Sequence, residues 1–170
     1  MSPSPRKRAM LPRRVRPQPR RESEEFGPGK AGFLLCPDCK AVYDKKRWVA
    51  DFAGVRDINE RKRVAFRRCP ACQMIRDRKF EGQVIAQGVP ARRVEEVLAR
   101  IRNVGDLARR RDPLDRIIAV RRRGQRIELT TTENQLAVRI GREIRDLVKG
   151  KLDIRWSHEE DVVRVFWRPA

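Results

Sequence analysis

A chain of 170 residues has room for one compact domain, or for two small ones with a tail. Its 42 Lys+Arg against 23 Asp+Glu give a formal charge of +19. Such an excess costs self-repulsion and calls for a polyanion, nucleic acid or nucleoprotein ahead of an anionic membrane surface. No apolar run approaches the ~20 residues that span a bilayer, and the opening MSPSPRKRAMLPRRVRPQPRR has no hydrophobic segment of the secretory kind. A membrane partner is therefore not expected, and the expected location is cytoplasmic.

Residues 1–30 are rich in Pro and Arg, with eight basic residues and no acid before Glu22. Nothing there can bury a core, so the segment reads as a disordered basic arm. Arg13, Arg14 and Arg16 are its candidate nucleic-acid contacts. Residues 31–80 carry all four cysteines. Between the two pairs lie Val42, Tyr43, Trp48, Val49 and Phe52, a charged stretch over 56–63, and then Val64, Ala65 and Phe66. Short strands around a polar excursion fit that pattern.

Residues 81–112 read as a helical linker. Val94, Val97, Leu98, Ile101 and Leu107 are its apolar positions, Pro90 suits the first turn, and Asp112-Pro113 ends it. Residues 113–170 read as a small ββαββ domain. Strands over 116–123 and 126–131 are joined across Gly124-Gln125, a turn signal. A helix then runs to about Val148 on the stripe Leu136, Ile140, Ile144, Leu147 and Val148. Thr132 to Gln135 has capping-box spacing, and Gly150 is placed to end the helix. Leu152, Ile154 and Trp156 alternate as a third strand, and 162–168 supply a fourth. The expected fold class is α+β: a zinc-ribbon module, a helix, and this domain.

Cys36-Pro-Asp-Cys39 and Cys69-Pro-Ala-Cys72 are two CxxC pairs, each with proline after its first cysteine. A CxxC turn aims two thiolates at one point and leaves backbone amides free to donate to sulfur. Two such turns complete a tetrahedron of about 2.3 Å Zn–S bonds. The 29 residues between the pairs exceed the commonest ribbon spacing, and the polar excursion absorbs the excess. Disulfides fit poorly with a reducing compartment, and a redox CxxC does not explain a matched second pair. One structural zinc ion is the expected cofactor. Four cysteine ligands leave no open position for chemistry.

Lys45, Lys46, Arg47, Arg67 and Arg68 surround the pairs as a cationic platform. Tyr43 can stack on unpaired bases, as can Trp48, although core packing is the preferred role for Trp48. Arg121, Arg122 and Arg123 fall at a hairpin end suited to phosphates, or equally to a solvated turn. The single histidine, His158, lies in a turn beside Glu159, Glu160 and Asp161 and reads as solvated. Gly27, Gly29 and Gly32 precede no GK[ST], and no nucleophile elbow appears. The expectation is a non-enzymatic protein without a small-molecule substrate.

The chain resembles the NMD-type zinc-ribbon proteins, the archaeal and eukaryotic large-subunit export adaptors and their short bacterial relatives. The shared features are Cys36-Pro37-Asp38-Cys39 with Ala41-Val42-Tyr43 and Arg47-Trp48, then Cys69 to Cys72 running into Ile75 to Arg78. Ile101 to Asn103, the block from Thr130 through Leu136-Ala137 to Arg139-Ile140-Gly141, and Arg164-Val165 with Trp167-Arg168 complete them. The chain departs from the larger members in having only four cysteines and none of their further domains, so nuclear export is not implied. The resemblance implies association with the ribosome through rRNA, with effects on ribosome stability, assembly or mRNA decay. The alternatives are a zinc-ribbon DNA-binding protein linked to transcription, and a protein-interaction adaptor that docks by a sheet edge.

Overall fold

The computed structural model describes residues 33–44, 46–50, 64–157 and 161–170. The basic arm with Arg13, Arg14 and Arg16, Lys45, the polar excursion and His158 lie outside the described residues. Within them the architecture is α+β. Ala31–Ala170 form one compact unit.

The cysteine segment builds a four-stranded sheet from β1 (Phe33–Leu35), β2 (Val42–Asp44), β3 (Arg47–Val49) and β4 (Val64–Phe66), in the order β3-β2-β1-β4. β1 to β3 are antiparallel neighbours, and β4 lies parallel to β1. Each strand has only three residues, and among the described residues the apolar burial on these strands is Val42 and Trp48 with partly buried Leu35 and Val49. That is too little burial to offset the entropy of ordering the segment.

A second sheet follows from β5 (Gly82–Ala86), β6 (Ile117–Arg123), β7 (Arg126–Thr131), β8 (Gly150–Trp156) and β9 (Val163–Pro169), in the order β6-β7-β5-β9-β8. The expected ββαββ order is present as β6, β7, helix, β8 and β9. The segment expected as a helical linker contributes more than a helix, because its β5 is the central strand, antiparallel to β7 and parallel to β9. The domain is thus βαββαββ. A five-residue strand flanked by Glu81 and Gln87 leaves only Val84, Ile85 and Ala86 as an apolar signal, which periodicity alone does not resolve.

Helices α2 (Val94–Arg111) and α3 (Asn134–Val148) pack on each other, and α3 lies across β5, β7, β8 and β9. Strand alternation turns Val84, Ala86, Ile127, Leu129, Val163, Val165 and Trp167 toward them. Leu136, Ile140 and Ile144 meet these from α3, and Val94, Val97 and Ile101 from α2. Leu107, expected on the α2 stripe, is 46% exposed. Thirteen residues beyond Val94 it has turned to the far side of a 3.6-residue helix, and Val104 and Ala108 continue the buried face.

Two end signals act differently from expectation. Thr132 does not cap α3. Its hydroxyl donates to the Leu114 carbonyl at 2.5 Å and accepts from the Arg116 amide at 2.8 Å, fastening the α2–β6 connection instead. Gly150 does not stop the helix. The turn falls on Lys149, with φ 46°, and Gly150 opens β8, where a Cβ would lie 2.4 Å from the Arg168 carbonyl oxygen. Gly124 does serve the hairpin as expected, with φ 58°.

Glu133 precedes α3 half-buried. Burial, and then the carboxylates of Glu81, Asp115 and Asp112, raise its pKa to about 7. Between about 4.5 and 7 the folded state therefore binds a proton that the unfolded chain has released, so this group stabilises the fold at low pH and loses that contribution as pH rises through 7. Glu133→Gln is expected to raise stability at pH 8 by about 1 kcal/mol, after allowing for solvent screening. Its effect should vanish below pH 4.5. Urea midpoints across pH 4 to 8 check this, and a variant that weakens the protein at pH 8 contradicts it.

Candidate metal centre

The two CxxC pairs reach one point by different local structures. In the first, Cys36 opens a tight turn: the Lys40 amide donates to the Cys36 carbonyl at 3.0 Å, and the Cys36 amide donates to Ala41 at 2.8 Å. Lys40 takes the left-handed conformation that closes it, with φ 64°. The second pair is a helix start. Cys69 is the N-cap of α1 (Pro70–Asp77), and Pro70 occupies the first turn, where its missing N–H is not needed. Cys69 Sγ accepts from the Cys72 amide at 3.4 Å, so a thiol takes the capping role that serine or aspartate usually fills.

All four Sγ atoms lie within 4.8 Å of one another. Cys36 and Cys69 are fully buried, Cys72 nearly so, and Cys39 faces partly outward. All four are free thiols, with Cys39 and Cys69 sulfurs 3.6 Å apart. Sulfurs that share a tetrahedral ion with bonds of about 2.3 Å sit about 3.8 Å apart, so the cluster is close enough to hold one metal ion. Burial would push the Cys36 thiol up, but amides of Cys39, Cys69 and Asp38 donate to it and bring its pKa down to about 7. Burial pushes Cys69 well above the usual thiol range, and raises Cys72 to about 11 with help from Cys39.

Two arginines brace the cluster. Arg68 pairs with Asp38, inside the first CxxC, which ties the two cysteine pairs together and holds the Asp38 carboxyl below its usual range. Arg116 comes from the other sheet's side of the molecule: its guanidinium donates to Cys72 Sγ at 3.2 Å, while its amide is held by Thr132. No sequence signal marks Arg116, because it stands 44 residues from Cys72 outside any motif. Partners beyond the ligands commonly matter about 10–100-fold in metal affinity. Arg116→Met is expected to weaken metal retention by about tenfold in a chelator competition. An unchanged competition curve contradicts that role.

The other candidate contacts divide. Tyr43 on β2 is partly buried, its ring 5.4 Å from that of Trp48 and tilted by 53°. Trp48 is buried, as its core reading expected. Lys46, Arg47 and Arg67 are exposed around the small sheet. Arg68 is engaged by Asp38. Arg121 and Arg123 are exposed on β6, whereas Arg122 points to the opposite face and pairs with Glu95 of α2. A cleft of about 370 Å³ beside Cys39 is lined by Asp106, Arg109 and Arg110, bringing α2 arginines next to the metal centre.

Among the described residues no helix is long and apolar enough to cross a membrane. No family model, curated protein or solved structure matches the chain.

Proposed function

We propose that this chain is a non-enzymatic, zinc-stabilised RNA-binding protein that associates with the ribosome through rRNA in the cytoplasm. The observation that carries this reading is the pairing of a four-cysteine cluster with a formal charge of +19. Four thiolates suit zinc, which would be held by Cys36, Cys39, Cys69 and Cys72 and would supply folding energy. With its coordination filled by sulfur, such an ion takes neither water nor substrate. Arginine is the main carrier of the positive charge, and its guanidinium makes bidentate bonds to phosphate. The ribosomal partner rests on the resemblance of the cysteine and tail motifs to the NMD-type proteins.

The test is sedimentation of the tagged chain from gently lysed cells, across a salt series and with or without RNase. The expected result is co-migration with a ribosomal particle, lost on RNase treatment and weakened by moderate salt. Migration as free protein at every salt overturns it. Retention of duplex DNA over structured RNA at equal salt would point to a DNA-binding protein instead.

A further inference from the structure

We infer that the open face of the five-stranded sheet binds a single-stranded RNA segment. This rests on the RNA-binding function proposed above and assigns that function a surface outside the cysteine module.

The helices take one face of the sheet. Alternation turns Gln83, Ile85, Glu128, Thr130, Arg164 and Phe166 to the other, and none of them is buried. Across its middle runs a row in register: Arg121, Glu128, Ile85, Phe166 and Asp153, one from each strand. Basic residues flank this row on both sides, and they do so in facing pairs. Arg123 stands opposite Arg126, Lys151 opposite Arg168, and Arg155 opposite Arg164. Like charges directly opposite on neighbouring strands destabilise a sheet. Glu128 and Asp153 already meet Arg126 and Arg155 in two of these pairs, whereas Lys151 and Arg168 face each other with no acid on either among the described residues, an arrangement that a bound polyanion relieves.

The face carries seven cations and two carboxylates, and both carboxylates are engaged, Glu128 by Arg126 and Asp153 by Arg155. Among the described residues no acidic partner meets Arg121, Arg123, Lys151 or Arg168. At the centre the Arg155 guanidinium lies 5.0 Å over the Phe166 ring. A ring and a guanidinium plane are the two surfaces on which unpaired bases stack. An aromatic centre within a cationic rim selects single strands, because a duplex keeps its base faces covered.

The experiment uses the full chain with its metal, and as probe a labelled mixed-sequence RNA of about 12 nucleotides, single-stranded or annealed. One variant removes four face charges: Arg121→Gln, Arg123→Gln, Lys151→Gln and Arg168→Gln. The control removes four exposed charges from the helical side, away from the cysteine cluster: Arg92→Gln, Arg102→Gln, Arg139→Gln and Arg142→Gln. The face variant should weaken single-strand binding by about 30-fold or more and flatten the slope of log affinity against log salt by about 2 to 3. The control should lose less than about threefold. Phe166→Leu, with an unchanged melting curve, should lose about fivefold or more through stacking. Equal losses from the two quadruple variants overturn the sheet assignment and leave the RNA-binding function standing. Failure of the unaltered chain to bind either probe overturns both. A preference for the duplex that the face variant abolishes overturns the single-strand assignment.

Discussion

Replacing Cys69 by serine is expected to abolish metal binding and to unfold strands β1 to β4 and helix α1 while the larger sheet stays folded. Cys69 is fully buried, caps α1, and sits 3.6 Å from the Cys39 sulfur. A serine hydroxyl keeps the cap but is neither soft nor readily ionised, so the tetrahedron loses a corner. Among the described residues the three-residue strands bury Val42 and Trp48 and little more apolar surface. Structural zinc supplies about 10–16 kcal/mol of apparent binding energy in small domains, far more than that core. The larger core begins at Val84 and, among the described residues, draws none from the cysteine segment. Metal content by mass spectrometry should fall from one ion per chain to none. Amide exchange should accelerate over 34–44, 46–49 and 64–78 but not over 82–88. Full metal content with unchanged protection in the variant contradicts the four-cysteine site.

The larger sheet should depend most on Trp167. Its side chain is 1% exposed on β9, between Ala86 on one neighbour and Leu152 on the other. Trp167→Ala removes a large side chain from a closed core and should cost about 3–5 kcal/mol, a major share of the roughly 5–15 kcal/mol typical of a domain. Trp167→Phe should cost far less, about 1–2 kcal/mol. It leaves a smaller void, and it removes an indole N–H that is buried with no partner among the described residues. Denaturant midpoints at fixed metal content separate the two. A loss below about 1 kcal/mol in the alanine variant contradicts the closed packing around this position.

Both expectations draw on parts of the molecule that differ in how they show in sequence. The cysteine spacing was legible because CxxC is a local device: its geometry is set within four residues, and proline after the first cysteine acts on the backbone directly. The two pairs use that device differently, however, as a turn at Cys36 and as a helix cap at Cys69. The spacing alone does not separate these outcomes. The strands β6 to β9 and helix α3 were legible because each is long enough for a period of 2 or 3.6 to repeat. Strand β5 was not. Its place at the centre of the sheet comes from β7 and β9 closing on either side, not from its own five residues.

The same division holds for charge. Composition determined that the chain is strongly basic, and spacing determined which cysteines converge, because both are properties of residues and their near neighbours. Only the tertiary structure decided which arginines are held and which are presented. Arg68 is taken by Asp38, Arg122 by Glu95, and Arg116 by the Cys72 sulfur, each across 27 or more residues of chain. Arg121 and Arg123, adjacent to Arg122 in sequence, face the other way with Arg126, Arg164 and Arg168. The reason is the strand period of two: it sorts neighbours to opposite faces, and strand order then gathers residues 40 or more positions apart onto one surface.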